Sequence, residues 1–310
     1  MAEQRCAVVA VLGAPNAGKS TLVNALVGAK VAAVTQKVQT TRTVVRGIAM
    51  RGEVQVVLID TPGIFAPRRR LDRAMVAAAW SALDGADAII HLVDAAAHAS
   101  GEKKSAADAR AVEDSSRIAA KLKQMELASM LVLNKVDAIP RPALLEMTGE
   151  LVEQGLYSDV FMISARNGDG VEDIARALAE RAPAAPWLFP EDQTMDAPAR
   201  VLAAEITREK AMLRLHDEIP YDLMVETESW EEKKDGSARI EQTIYVAREG
   251  QRKLAIGSGG RTIKTIGELA RKEMETVFDR RIHLFLHVKV REGWSEERAF
   301  YQRLGLDYEV

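Results

Sequence analysis

Short unbroken apolar runs alternate with stretches of helical spacing over the first 180 or so positions. Residues 6–12 form a continuous buried-strand pattern, followed by a glycine-rich turn and a helix over about 20–27. Residues 44–49 and 54–60 read as two strands joined across Arg51-Gly52, a hairpin signal. Three more β-rich runs lie at 88–93, 130–133 and 160–163, with helical patterns between them at 70–83, 106–127, 142–154 and 171–181. Strands that alternate with helices in this way predict a mainly parallel sheet covered on both faces.

Beyond position 181 the pattern changes. Pro183, Pro186, Pro190 and Pro198 make 182–198 the densest proline stretch, which predicts a linker or strap. A helix over about 200–215, strands over 222–230 and 238–248 around Asp235-Gly236, and a short helix ending near Ile256 come next. They are followed by a glycine cluster, a helix over 262–278 and a strand over 282–290. In that last strand Ile282, Leu284, Leu286, Val288 and Val290 alternate with His283, Phe285, His287 and Lys289, so one face is core. A closing helix starts near Ser295. The order α-β-β-α-α-β describes a second, smaller α+β domain.

The chain has 310 residues, enough for two cores, and a formal net charge of −3. Nucleic-acid binding would therefore need a local basic patch, because overall charge offers none. The single cysteine, Cys6, opens the first apolar run; it cannot form an internal disulfide and reads as a small buried core residue. No apolar run approaches the roughly 20 residues that span a bilayer, and the first residues lack a basic signal-peptide region. These features predict a cytoplasmic protein.

The chemistry sits at the strand ends. Gly13-Ala14-Pro15-Asn16-Ala17-Gly18-Lys19-Ser20, followed by Thr21, fits G-x-x-x-x-G-K-[ST] between a strand and a helix. Its backbone N–H groups and the helix N-terminus suit phosphate; Lys19 would reach the β- and γ-phosphates and Ser20 would bind Mg²⁺. Asp60-Thr61-Pro62-Gly63 ends the third strand. There Asp60 can hold a water on Mg²⁺, and the Gly63 N–H can face the γ-phosphate. Asn134-Lys135-Val136-Asp137 ends the fifth strand, where a carboxylate can accept from the guanine N1–H and N2–H₂ edge. Ser164-Ala165 ends the sixth, where a backbone N–H can donate to guanine O6. Ligands bind at C-terminal strand ends in doubly wound sheets. Four such motifs in this order predict a GTP and GDP site.

This motif set, with Gln39-Thr40-Thr41-Arg42, resembles the translation-factor class of GTPases, and the effector loop resembles that of the Era family. The resemblance implies a P-loop NTPase G domain over 1–183, a linker over 184–199 and a type II KH domain over 200–310. It makes Lys19, Thr41 and Gly63 catalytic, with Thr41, then Thr40, closing over Mg²⁺ and the γ-phosphate. Ile64 stands where Ras-like enzymes carry a water-orienting Gln, so hydrolysis should be slow without help. Asn16 matches the position that holds K⁺ in related GTPases, or is a plain turn residue; the sequence leaves both open.

In the second domain Gly257-Ser258-Gly259-Gly260 lies between two predicted helices, as the GxxG clamp of a KH domain does. Arg252, Lys253, Arg261 and Lys264 supply local charge. The run 248–267, with Glu205-Ile206-Thr207-Arg208-Glu209-Lys210 and Ile219-Pro220-Tyr221, resembles the C-terminal KH domain of the Era family. One departure is Gly259, where that family usually carries a basic residue. The resemblance implies a monomeric ribosome-assembly GTPase that binds single-stranded 16S rRNA near its 3′ end, acts on the 30S subunit and associates peripherally with the membrane. Rival readings are a GTPase serving another RNA or a tRNA-modifying machine, and an RNA-binding module with a vestigial nucleotide site. His283 and His287 share a face without a third ligand, so a metal there is not expected. Arg68-Arg69-Arg70 reads as a helix start on a solvated face in preference to an RNA contact.

Overall fold

The structure is a computed structural model that describes residues 4–35, 41–100, 104–215 and 223–310. Gln39, Thr40 and Ile219-Pro220-Tyr221 lie outside the described residues. The chain divides into two units. The first comprises residues up to Ala32, Thr41–Asp196 and Leu304–Val310, and the second comprises Ala197–Arg303 together with residues 33–35 among those described.

The first unit is a six-stranded sheet in the order β2-β3-β1-β4-β5-β6. Its strands are β1 (Arg5–Gly13), β2 (Val45–Arg51), β3 (Val54–Asp60), β4 (Ala88–Asp94), β5 (Ser129–Asn134) and β6 (Tyr157–Ile163). Only β2 runs antiparallel; it turns into β3 at Gly52, which adopts φ +59°. The remaining neighbours are parallel, and β1 lies between β3 and β4. The strand order therefore reverses beside β1, and the loop after β1 opens at the crevice that this reversal creates.

Six helices complete the unit among the described residues: α1 (Lys19–Val27), α2 (Arg70–Ser81), α3 (Ala95–Ala99), α4 (Ala106–Gln124), α5 (Arg141–Gln154) and α6 (Val171–Arg181). One sheet face packs Val9, Val11, Leu58 and Ile90 against Leu22, Leu26, Ile174 and Leu178. The other carries Leu12, Ile64, Ala79, Ile118 and Leu122 in one cluster, and Leu131, Leu133, Leu144 and Leu151 in another. Cys6 is buried, and burial pushes its thiol pKa up.

The proline-rich stretch is a strap laid on this unit. The Cys6 N–H donates to the Pro183 carbonyl (3.1 Å), Ile48 N–H to Thr194 (2.9 Å) and Asp196 N–H to Arg46 (2.9 Å). Gln55 is fully buried; its Oε1 accepts from Leu188 and Phe189 N–H, and its Nε2 donates to the Phe189 carbonyl. Prolines lack an N–H, so Pro183 takes part only through its carbonyl and every strap N–H donor is another residue.

The second unit orders α7 (Ala199–Arg214), β7 (Leu223–Glu232), β8 (Ala238–Val246), α8 (Glu249–Ile256), α9 (Arg261–Val277), β9 (Ile282–Val290) and α10 (Arg298–Leu304). Its sheet is β7-β8-β9, antiparallel then parallel. The core joins Ala211, Leu223, Ile244, Ala255, Ile266 and Val288. A polar chain runs from it to the surface: Thr207 Oγ1 donates to Gln242 Oε1 (2.5 Å), and Gln242 Nε2 to Thr227 Oγ1 (3.1 Å). Thr227 Oγ1 then donates to the Arg200 carbonyl (2.8 Å). The α-β-β-α-α-β order is as the sequence predicts. No described helix is long and apolar enough to cross a membrane.

Candidate nucleotide and RNA sites

The β1–α1 loop takes its shape from its glycines. Gly18 adopts φ +101°, and a Cβ there would lie 2.2 Å from Asn134 Nδ2. A Cβ on Gly13 would meet the Leu92 carbonyl oxygen at 2.5 Å, and one on Gly63 would meet Pro15 at 2.9 Å. The phosphate loop and the 60–63 loop are thus packed backbone to backbone. Asn16 sits at φ +63°, a conformation that asparagine tolerates better than most residues.

Lys19 is 6% exposed, and its Nζ donates to the Gly13 carbonyl (3.0 Å) and the Ala14 carbonyl (2.9 Å). Burial lowers its pKa to about 8, partly offset by Asp60. Asp60 is fully buried, and burial raises its carboxyl to about 6 against the opposing pull of Ser20, Lys19 and Thr41. Ser20 Oγ donates to Asp60 Oδ2 (2.6 Å) and lies 2.9 Å from Thr41 Oγ1, which is 3.4 Å from the same carboxylate oxygen. Asp60 Oδ1 is buried with no hydrogen-bond partner.

Ser20, Thr41 and Asp60, the three residues expected around Mg²⁺, therefore converge. A buried carboxylate oxygen left unpaired is costly in a protein interior. Two hydroxyls and one carboxylate, with one of its oxygens unfilled, form the hard oxygen set that Mg²⁺ takes. The residues present fit the ion.

Thr61 is held beneath the loop, its hydroxyl donating to the Val11 carbonyl at 2.7 Å. Ile64 is 1% exposed and belongs to the core cluster of Leu12 and Ile118, while its N–H donates to the Gly13 carbonyl (3.1 Å). Its side chain anchors the loop and does not face a nucleophile.

Asn134 ties the base motifs together. Its Nδ2 donates to the Ala17 carbonyl (2.8 Å), and its Oδ1 accepts from Ala165 N–H (3.0 Å). Ser164 N–H donates to the Asp169 carbonyl (3.0 Å). Both amides of Ser164-Ala165, where the sequence places one donor to guanine O6, are thus already bonded inside the protein, and one would have to be released to meet a base. Asp137 is exposed in the short turn Val136–Ala138, not a buried acceptor. Its discrimination against adenine would arise only when a base covers it. Sequence reasoning missed Asp94, whose Oδ2 accepts from Lys135 Nζ at 2.5 Å. The only hint was a carboxylate at the end of β4.

In the second unit the glycine cluster forms a turn between α8 and α9. Gly257, Gly259 and Gly260 adopt φ of +74°, +59° and +76°. A Cβ on Gly257 would lie 2.2 Å from Thr262 Oγ1, whereas those on Gly259 and Gly260 would meet nothing within 4 Å. Ser258, Gly259, Lys253, Arg261 and Lys264 are exposed around this turn. Arg252 is less available than its charge suggests: it pairs with Glu249 (2.8 Å), and its Nε donates to the Val288 carbonyl (3.3 Å). Arg261 Nε donates back to the Ser258 carbonyl (3.2 Å). Arg69 caps α2, and Asp72 Oδ2 accepts from Arg68 and Arg69 N–H, so this basic run starts a helix. No group of three His, Cys, Asp or Glu side chains able to hold a metal occurs among the described residues, the His283 and His287 face included.

Comparison with known proteins joins these observations. Residues 8–135 match the model of a 50S ribosome-binding GTPase family, and residues 218–295 match that of the KH domain. The chain is 56% identical over 308 residues to GTPase Era of Caulobacter vibrioides, covering 99% of this chain and 98% of that one. It is also 56% identical over 309 residues to GTPase Era of Maricaulis maris, with the same coverage. Among solved structures it resembles a single-substitution variant of Aquifex aeolicus Era bound to GDP and AlF4−, with TM-score 0.87 and 32% identity over 97% of this chain and 99% of that one. It resembles equally, at TM-score 0.87, Era in complex with MgGDPNP and nucleotides 1506–1542 of 16S ribosomal RNA.

Proposed function

The chain belongs to the Era family of GTPases, and from that premise we propose that it binds the single-stranded 3′ region of 16S rRNA and assists assembly of the small ribosomal subunit. It is a GTP hydrolase with a KH domain. What carries the proposal is one chain holding two constructed sites. One is the Ser20–Thr41–Asp60 convergence under a glycine loop; the other is the turn of positive-φ glycines that opens α9.

In the nucleotide site, Mg²⁺ held by Ser20 and Thr41, with Asp60 through water, would neutralise charge on the phosphates. Lys19 is already desolvated and tied only to two carbonyls, so phosphate oxygens would replace weak acceptors with anionic ones. Gly63 must remain glycine to sit against Pro15, which leaves its backbone as the group facing the γ-phosphate. With Ile64 buried, no side chain at that position orients water, and turnover depends on backbone and ions.

A K⁺ ion held by Asn16 is part of the same proposal, resting on the place of that residue in the phosphate loop between Gly13 and Gly18. Replacing K⁺ by Na⁺ should slow hydrolysis in the unmodified protein, and Asn16→Ala should remove the difference. Equal rates in both salts would end the potassium reading.

For RNA, the glycines let a sugar–phosphate backbone approach closely, with Lys253, Arg261 and Lys264 as the charges at hand. Titrating a labelled fragment of the 16S 3′ end against the protein, with an unrelated single strand as competitor, tests the assignment. Preferential binding of the ribosomal fragment is expected; equal affinity for both strands would overturn the choice of RNA.

A further inference from the structure

Asp94 and Asn134 end β4 and β5 as register partners, so Asp94 lies beside the turn that follows Asn134. Its carboxylate has two tasks. Oδ1 accepts from Ala97 N–H (3.2 Å) and caps α3, while Oδ2 holds the Lys135 ammonium at 2.5 Å. The pair is sheltered on the acid side only: Asp94 is 12% exposed and Lys135 38%. Lys135 adopts φ +67°, which sets its Cα firmly at the head of the 136–138 turn. Both ends of the side chain are therefore fixed, one by the backbone turn and one by Asp94.

A lysine held at both ends presents its methylene stem as an ordered apolar surface. Lys135 heads the turn that carries Asp137, the residue read as meeting the guanine edge. An unanchored lysine would sample many rotamers, and ordering it on binding would cost affinity. Asp108 of α4 also lies within electrostatic reach of Lys135, but its Oδ2 is engaged by the Ser105 N–H and hydroxyl (3.0 and 2.8 Å) and no hydrogen bond joins it to the lysine. His98 on α3 is kept neutral by burial, and Lys104 lowers its pKa further.

We infer that Asp94 is a positioning residue of the base site, fixing Lys135 so that its stem is set against a guanine ring before the nucleotide arrives. The inference rests on reading residues 134–137 as the guanine site. It sets nucleotide affinity and leaves the reacting phosphates untouched.

Asp94→Asn keeps an oxygen for the α3 cap and removes the ion pair. GDP and GTP should both bind roughly three- to tenfold more weakly, the scale of a partly exposed ion pair plus side-chain ordering, with kcat at saturation unchanged. In a Lys135→Gln background the same substitution should have no further effect. Raising ionic strength should narrow the gap between the unmodified protein and Asp94→Asn. Unchanged GDP affinity in Asp94→Asn, an equal loss in both backgrounds, or a fall in kcat alone would each overturn the inference. ADP measured alongside keeps the underlying reading separate: unmodified protein that binds ADP as well as GDP would refute the guanine site itself, whatever the Asp94 cycle gives.

Discussion

Gly259 stands at φ +59° with open space where a side chain would project. Of the glycines in that turn, Gly257 cannot take a side chain without meeting Thr262, so substituting it would test folding as much as binding. Position 259 admits one at about 1 kcal/mol of left-handed strain, less for aspartate, which visits that region more readily. Gly259→Asp should therefore fold, set a carboxylate against the phosphates and nearly eliminate RNA binding while GTP hydrolysis persists. Gly259→Lys should tighten binding and steepen its salt dependence by one contact's share, a slope change of roughly 0.7 for a single strand. Titrations at several salt concentrations read both effects. Unchanged affinity in Gly259→Asp would mean that this turn only joins two helices and that RNA binds elsewhere.

At the scale of elements, β4 carries a buried histidine that links three of them. His91 in β4 is hydrogen-bonded through Nδ1 to Tyr157 of β6 (2.8 Å) and lies 3.3 Å, through Nε2, from Ser115 Oγ of α4. Burial, and secondarily His98, lower its pKa to about 3. Its unfolded value near 6.5 is higher, so the stability it contributes is fully present above that value. It is lost as pH falls from about 6.5 toward 3, at about 1.4 kcal/mol per unit. Asp60 works in the opposite sense in the nucleotide-free protein: its raised carboxyl favours the folded state as pH drops through about 6. Comparing the unmodified protein with His91→Gln cancels that second contribution. The difference in unfolding free energy between them should shrink by about 1.4 kcal/mol per pH unit between pH 6 and 4.5; parallel curves would contradict it. Elements with strong periodicity were legible in the sequence. Helix α3 was not, because Ala95-Ala96-Ala97-His98-Ala99 has no apolar stripe and depends on its Asp94 cap. The first turn of β6 was also missed, since Ser158-Asp159 on an edge strand reads as loop. Helix α4 stops short of its predicted end, where Glu126 takes φ +55°.

Across the whole molecule, the order of motifs carried most of the functional reading, because each one marks a strand end that the sheet brings to the same edge. The meeting of Ser20 and Asp60 followed from that order, and Thr41 was added by the resemblance of the effector loop; the orphaned Asp60 oxygen and the Asp94–Lys135 pair did not follow, since they depend on register and rotamer. The prolines of 182–198 announced a break, yet the hydrogen bonds that fasten the strap, one of them to the Pro183 carbonyl, left no mark in composition. Acid-rich composition outside the glycine turn hides a basic patch within a chain of net charge −3. The central claim is that guanine is read by Asp137. Its exposed carboxylate would pair with the N1–H and N2–H₂ donors, and an amide at the same place would suit xanthine, which offers an oxygen at position 2. The decisive measurement is competition of GTP and XTP for the nucleotide site in the unmodified protein and in Asp137→Asn. The account predicts that the substitution exchanges the preference, with GTP affinity falling by at least about a hundredfold while XTP affinity rises. Full GTP affinity in Asp137→Asn, with none gained for XTP, would contradict it.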